Sequence, residues 1–211
     1  MKLKSPLVSI LINNYNNEKY CIKAIQSALK QNYNRIEIIF YDDYSSDNSL
    51  DKVKKIKNNK LKIIENRSRG KKHSLNQLQA IFSSLQKSKG EIVCILDSDD
   101  FFKKDKVKKI VSFFNRNKNE EILFDKPINY YGENKKIESN IDYRKRLNKW
   151  PVFPPTSCIS IRSKSLKKIK KIILVKKFQE LWFDFRIAAF YALKKGQLNI
   201  FQEHLTYYRN Y

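Results

Sequence analysis

The sequence predicts an α/β fold: one domain with a mainly parallel central sheet and helices on both faces. Three observations predict it. Short, near-continuous apolar runs rich in β-branched residues recur through the first half, as suits strands buried on both faces. Between them lie segments whose apolar residues fall at helical spacing. The chain has 211 residues, 41% hydrophobic and 31% charged, with few Pro or Gly and no linker-like stretch, which suits one sizeable core.

Residues 7–12 are the first strand-like run, and a helix over 18–31 follows with Tyr20, Ile22, Ile25, Ala28 and Leu29 at helical spacing. A second strand is expected over 36–41, then a polar helix over 47–57 with Ser46 or Asp47 as N-cap. A third strand over 61–64 leads to a helix over 72–87 carrying Leu75, Leu78, Ile81, Phe82 and Leu85. Gly90 ends that helix, residues 92–96 form the fourth strand, and 106–117 are helical. Strand–helix–strand repetition of this kind calls for parallel pairing. The second half is less regular: a short strand over 121–124, a polar, loop-rich stretch over 129–149, and an extended surface segment at Trp150-Pro151-Val152-Phe153-Pro154-Pro155. A strand over 157–161, helices over 164–173 and 180–194, and a last strand over 198–201 complete it.

The net charge of +23 admits three readings: a solvated lysine-rich surface, attraction to an anionic membrane, or nucleic-acid binding. No interleaved aromatics, zinc ligands or reading helix accompany the lysines, which argues against nucleic acid. Cys21, Cys94 and Cys158 are odd in number and flanked by apolar residues, so they read as buried free thiols of a reducing compartment. The opening apolar run is too short for a signal segment, and nothing approaches the roughly 20 apolar residues of a membrane span. The expected location is cytoplasmic, with any membrane contact peripheral, at its inner face. Residues 166–177 alternate Lys pairs with Ile, Leu and Val; as a helix they would lie on an anionic bilayer or else cover the sheet.

In parallel sheets ligands bind beyond the carboxyl ends of the strands. All the first-half strands end in polar residues: Asn13-Asn14-Tyr15-Asn16, Asp42-Asp43, Asn66-Arg67 and Asp97-Ser98-Asp99-Asp100. The carboxylates of Asp97, Asp99 and Asp100 repel one another beside an apolar core, and a cation would relieve that repulsion. Oxygen ligands without His or Cys favour Mn²⁺ or Mg²⁺ bridging to phosphate; a helix N-cap with extra acid is the plainer alternative. Asp43 could take a hydrogen bond from a base or ribose, or only cap a turn. Tyr15 could stack on a base, or be an ordinary loop tyrosine. Arg69 and Lys72, in Asn66-Arg67-Ser68-Arg69-Gly70-Lys71-Lys72, could hold a diphosphate, or be a solvated basic loop.

Taken together, Val8-Ser9-Ile10-Leu11-Ile12-Asn13-Asn14-Tyr15-Asn16, the Asp42-Asp43 turn running to Asp47, and Gly90-Glu91-Ile92 leading into Leu96-Asp97-Ser98-Asp99-Asp100 resemble family 2 glycosyltransferases of the GT-A fold. The resemblance covers roughly residues 7–110. Asp184 on a long helix, Gly196, and Leu205-Thr206-Tyr207-Tyr208-Arg209 resemble that family's closing elements. It implies one GT-A domain, with about 1–110 binding the nucleotide sugar and about 111–211 the acceptor. The implied reaction is inverting transfer from a nucleoside diphosphate sugar, UDP-sugar favoured, to a hydroxyl of a glycan or lipid-linked acceptor. Asn13, Tyr15, Asp43, Arg69, Lys72, Asp97 and Ser98 would hold the donor; Asp97, Asp99 and Asp100 would hold Mn²⁺ or Mg²⁺. Asn13 departs from the Pro that often follows the family's first strand, and Tyr211 stands where many members carry a metal-proximal His.

Two acids compete as the base. Glu180 and Asp184 are one turn apart on the expected helix, so both would face one cleft. Asp184 is favoured, because Phe183 and Phe185 flank it and an apolar stretch follows; pairing with Arg186 or capping the helix is the plainer alternative. The rival functions are a nucleotidyltransferase-like enzyme, for which no Gly-rich nucleotide loop is present, and a non-catalytic basic binding protein on a degenerate transferase fold.

Overall fold

Strands Val8–Asn14 (β1) and Ile36–Asp42 (β2) are buried along almost their whole length, because parallel neighbours flank them and helices cover both faces. They pair in parallel; Leu61–Glu65 (β3) continues from β2, and Ile92–Asp97 (β4) pairs with the other side of β1. Helices Cys21–Leu29 (α1), Ser49–Lys54 (α2) and His73–Lys87 (α3) make the crossovers. Phe101–Phe102 (β5), helix Lys106–Arg116 (α4), Ile122–Tyr131 (β6) and Lys135–Glu138 (β7) follow. A ribbon of Arg146–Leu147 (β8) and Trp150–Pro151 (β9) precedes a 3₁₀ helix, Thr156–Cys158. Ile159–Arg162 (β10), helices Ser163–Ile173 (α5) and Phe183–Lys195 (α6), and Ile200–Asn210 (β11) complete the chain. This computed structural model describes residues 5–131, 135–143, 146–147, 150–175 and 177–210; Tyr211, singled out above, lies outside them.

The main sheet runs β3-β2-β1-β4-β10-β6-β11-β5, with β7 beside β6. The parallel expectation holds from β3 to β4. Beyond it β10 is antiparallel to both β4 and β6, so the sheet is mixed. Alternate residues of the strands feed two cores. Ile10, Ile12 and Phe40 pack with Ala24 and Ile25 of α1 and Ile110 and Phe114 of α4; Leu11, Ile39 and Ile95 pack with Ile81 of α3, Ile169 of α5 and Ile187 of α6. Helices therefore cover both faces, as predicted. The three cysteines are buried free thiols, and no helix among the described residues is long and apolar enough to cross a membrane.

The second half corrects the sequence reading in several places. The short strand expected at 121–124 runs on to Tyr131 and pairs with β7, where loop was expected, and the last strand extends to Asn210. The expected helix over 180–194 starts only at Phe183, because Trp182 is extended at φ −73°, ψ 165°; Glu180 falls in the turn before it. Within the segment expected to be an extended surface strip, Pro154 is buried and Phe153 packs edge-on against Phe185 at 5.8 Å. Gly90 lies beyond the end of α3 and marks a close approach instead. A Cβ there would come within 2.5 Å of the Ser9 backbone nitrogen.

One buried acid ties the start of the parallel sheet together. Glu37, in β2, accepts hydrogen bonds from Ser9 Oγ (2.8 Å), the Lys89 amide (2.5 Å), the Gly90 amide (3.2 Å) and Lys62 Nζ (2.8 Å). Burial pushes its pKa up, but Lys62, the Lys89 amide and Ser9 outweigh that and hold it below the ordinary value.

A second cluster binds the two halves. Lys106 and Asp125 are both sealed from solvent, with Nζ 2.6 Å from the Asp125 carboxylate. The ammonium also donates to the Ser157 carbonyl at 2.8 Å and to Thr206 Oγ1 at 2.6 Å. Thr206 in turn donates to Asp125 at 2.7 Å.

Two stability predictions follow from these clusters. Glu37→Gln should lower stability by about 1–3 kcal/mol at neutral pH. Because the folded pKa is depressed, that stabilisation is present above the unfolded value and is lost as pH falls through the folded one. Wild type and variant should therefore converge in calorimetric Tm in acid, and a gap that persists there would refute the assignment. Lys106→Met should cost about 3–5 kcal/mol, since it strands a buried carboxylate. Lys106→Met with Asp125→Leu should recover most of that loss in urea unfolding.

Candidate active site

The carboxyl ends of the parallel strands are level with one another. Asn13 lies opposite Asp97 and Asn14 opposite Asp42, and β1 is the strand from which the chain winds both ways, where parallel sheets open a crevice. A cavity of about 280 Å³ opens there, lined by Asn13, Tyr15, Asp43, Arg69, Asp97, Ser98 and Asp99 together with Asn17, His73, Asn76, Gln77 and Trp182. Of the residues read from the sequence as donor-binding, Lys72 alone is not among its lining. Its ammonium ion-pairs with Glu180 instead, both side chains being well exposed, and it borders a different cleft beside α3.

Asp43 is nearly buried and is held by Asn66 Nδ2 at 2.9 Å and Arg69 Nε at 2.8 Å. Burial still raises its pKa against those donors. Arg69 is committed three ways: to Asp43, to His73 Nδ1 at 2.9 Å, and over the Tyr15 ring, its guanidinium carbon 3.5 Å from the ring centre. It thus braces the two residues expected to meet a base.

The acidic loop divides its carboxylates. Asp97 points into the cavity, where burial and then the Asp99 charge push its pKa up to about 7; Asn13 Nδ2 reaches it at 3.4 Å. Asp99 also lines the cavity, and its backbone carbonyl accepts from Arg209 Nε at 3.0 Å. Asp100 turns away. It accepts from Ser157 Oγ at 2.5 Å and from the Arg209 amide at 2.8 Å; burial, with the Asp99 and Asp97 charges, outweighs those bonds and raises its pKa. Asp100 does not line the cavity, and each of its oxygens already accepts one of these bonds, so Asp97 and Asp99 are the better placed of the three acids expected at a metal. Ser157 Oγ also accepts the Asp97 amide at 3.0 Å, which ties the acidic loop to the Lys106–Asp125 cluster.

A second cavity of about 530 Å³ shares Gln77, Asp97 and Trp182 with the first and adds Phe153, Pro155, Thr156, Leu181, Phe185 and Tyr208. Asp184 and Glu180 both border it, though not from one helical face. Asp184 stands in the first turn of α6, where its Oδ1 accepts the Phe185 amide at 2.7 Å and burial raises its pKa. It does not pair with Arg186, whose guanidinium donates to the carbonyls of Ile173, Val175 and Leu181, each at 2.8 Å. Tyr208 is pushed up to about 12 by burial and then by the surrounding carboxylates, Asp100 foremost.

Sequence reasoning missed Asn17, Gln77, Trp182 and Tyr208 as lining residues. A signal existed for Gln77: His73, Gln77 and Ala80 form a stripe at helical spacing that breaks the apolar face of α3. For Trp182 none did, because its place depends on where α6 begins.

Among the described residues no three His, Cys, Asp or Glu side chains gather as a metal cluster. The oxygens at hand are the Asp97 and Asp99 carboxylates and, beside Asp97, Asn13 Oδ1, buried without a hydrogen-bond partner. Such hard donors fit Mg²⁺ or Mn²⁺ with most positions left to phosphate and water.

Comparison with known proteins places this geometry. The model of the family "Glycosyl transferase family 2" matches residues 9–195. An uncharacterized glycosyltransferase of Nostoc is 31% identical over 96% of this chain, which spans 64% of that relative. The Escherichia coli UDP-Glc:alpha-D-GlcNAc-diphosphoundecaprenol beta-1,3-glucosyltransferase WfaP is 34% identical over 60% of the chain, against 47% of its own length. Staphylococcus aureus TarS, solved with UDP, superposes at a TM-score of 0.73 over 97% of this chain and 60% of that one, at 21% identity, and so shares the GT-A fold. With most of its length matched, the chain belongs to glycosyl transferase family 2.

Proposed function

We propose that the chain transfers a sugar, with inversion, from a nucleoside diphosphate sugar to an acceptor hydroxyl in the synthesis of a surface glycan. The observation that carries this reading is the meeting of two cavities at Asp97, one holding Tyr15 and Asp43 and the other a buried Asp184. UDP is the favoured nucleotide. TarS, which shares the fold, has been solved with UDP and with UDP-GlcNAc, and WfaP takes UDP-glucose and a diphosphoundecaprenol-linked acceptor by its name.

In this reading the base lies against Tyr15, and Asp43, fixed by Asn66 and Arg69, accepts from it. Asp97 and Asp99 would hold Mn²⁺ or Mg²⁺, which would supply positive charge to offset that of a departing diphosphate. Asp184 accepts the proton of the acceptor hydroxyl as that oxygen attacks the anomeric carbon from the second cavity. Its desolvation suits it to this work, because a base must be deprotonated yet basic near working pH. Glu180 is exposed and ion-paired with Lys72, which leaves it the weaker candidate.

Three sets of measurements test the assignment. Asp99→Asn should abolish transfer with Tm unchanged; near-normal turnover in Mn²⁺ would remove it from the metal site. Tyr15→Ala and Asp43→Ala should each weaken UDP binding, by about 1–3 kcal/mol for the lost stacking partner. Unchanged UDP titrations in both would take these residues out of the donor site. Asp184→Asn should lose about 10²–10⁴-fold in kcat with UDP affinity kept, and Glu180→Gln should lose less. In wild type, kcat/KM should fall as pH drops through the raised pKa of Asp184, above the ordinary aspartate range. The assignment is reversed if Glu180→Gln is the dead variant.

A further inference from the structure

At the end of α5 and in the loop that leads to α6 the chain turns large apolar side chains into solvent. Ile172, Val175, Phe178 and Trp182 are 56%, 43%, 55% and 47% exposed. This segment is a built loop. Arg186, itself 8% exposed, spends its guanidinium on the carbonyls of Ile173, Val175, Phe178 and Leu181, so the loop is fixed from behind with these side chains outward. The preceding helix α5 buries its apolar stripe, Leu166, Ile169 and Ile173, in the core, which answers the earlier alternative: the helix covers the sheet. Its lysines Lys164, Lys167, Lys168 and Lys171 remain exposed on the outside, with Lys177 in the loop that follows. Beside α5, a cleft of about 500 Å³ lined by Leu75, Phe82 and Leu174 also has Lys71, Lys72 and Lys170 in its wall.

A cluster of exposed apolar groups set among like-charged cations marks an interaction surface. We propose that this face docks on an anionic lipid bilayer, its lysines at the phosphate level and Ile172, Val175 and Phe178 set into the interface. Lysine-rich surfaces gain from an anionic leaflet, and apolar side chains gain only where there is hydrocarbon to enter. Nucleic acid would reward the charge but not the aliphatic groups, and α5 and its loop present Lys rather than the Arg that reads phosphate and base edges in pairs. The patch continues through Leu181 and Trp182 into the wall of the second cavity. Docking would therefore set that mouth at the membrane, where a lipid-linked acceptor presents its sugar; this consequence, unlike the docking itself, rests on the transfer reading.

The test is flotation of the full chain with vesicles of phosphatidylcholine plus phosphatidylglycerol against phosphatidylcholine alone. At low salt the protein should float only with the anionic vesicles, and high salt should release it. Lys167→Glu with Lys171→Glu should weaken binding about tenfold or more. Val175→Ser with Phe178→Ser, which leaves charge unchanged, should weaken it about tenfold. Titration of UDP against the same variants in solution should give wild-type affinity, which separates a failed docking surface from a failed donor site. No flotation at low salt overturns the proposal. So does unaltered vesicle binding by the Val175/Phe178 variant, or tighter retention on duplex DNA through the same lysines.

Discussion

A lysine and an aspartate closed off from water decide how the two halves of this chain meet. Lys106 belongs to the α4 that follows the acidic loop, and Asp125 to β6 in the second half. Burying both charges costs several kcal/mol that their attraction offsets only when every remaining hydrogen bond is made. Here the contacts land on different elements: the Ser157 carbonyl in the 3₁₀ helix and Thr206 in β11 take hydrogen bonds, and the Asp125 carboxylate in β6 takes the ion pair and a bond from Thr206. Ser157 then holds the Asp97 amide and the Asp100 carboxylate, and β11 brings the Arg209 amide to Asp100. The acidic loop thus lies at the end of a first-half strand but takes its shape from the second half.

That shape concentrates negative charge where it is least comfortable. Asp97, Asp100 and Asp184 all have raised pKa values, with burial the leading cause in each case. A chain of net charge +23 has cations to spare, yet Arg209 offers this loop its backbone amide, to the Asp100 carboxylate, and its Nε to the Asp99 carbonyl. Such an arrangement is unfavourable for folding alone and becomes favourable when a cation or a proton donor arrives, which is why perturbed acids cluster at reacting centres. The wider positive charge works in the other direction: it would draw the anionic donor of the proposed reaction toward a cleft whose own acids would otherwise repel it.

The sequence made the first half legible because its rules are local there. Strands buried on both faces show as apolar runs, crossover helices as periodic stretches, and the polar residues after each strand as a line of candidates. Tyr15, Asp43, Asp97 and Asp99 do converge. Asp100 could not be told from its neighbours, since its turn toward Ser157 is set by a residue far away in the chain. The second half hides its strands for the same kind of reason. β6 carries Asp125 and Pro127 within it, and neither suits a strand until Lys106 arrives to pair with one and the other faces β11 across a shifted register. Glu180 read as helical because Glu180-Leu181-Trp182-Phe183 continues the periodic pattern; the extended backbone at Trp182 is a tertiary decision.

That decision has a visible cause, and it links the two cavities. Gln77 of α3 accepts the Phe183 amide at 3.2 Å through Oε1, which fixes where α6 begins. Its Nε2 reaches Thr156 Oγ1 at 3.4 Å, and the Thr156 side chain in turn stabilises the charged form of Asp184. Gln77 and Trp182 line both cavities, so the residue that orients the first turn of α6 also forms part of the wall of the proposed donor site. A ligand that presses on Gln77 or Trp182 from the nucleotide side therefore acts on the turn that carries Asp184. The helix start that aims the acid proposed as base is thus built on Gln77, a residue that also lines the proposed donor site.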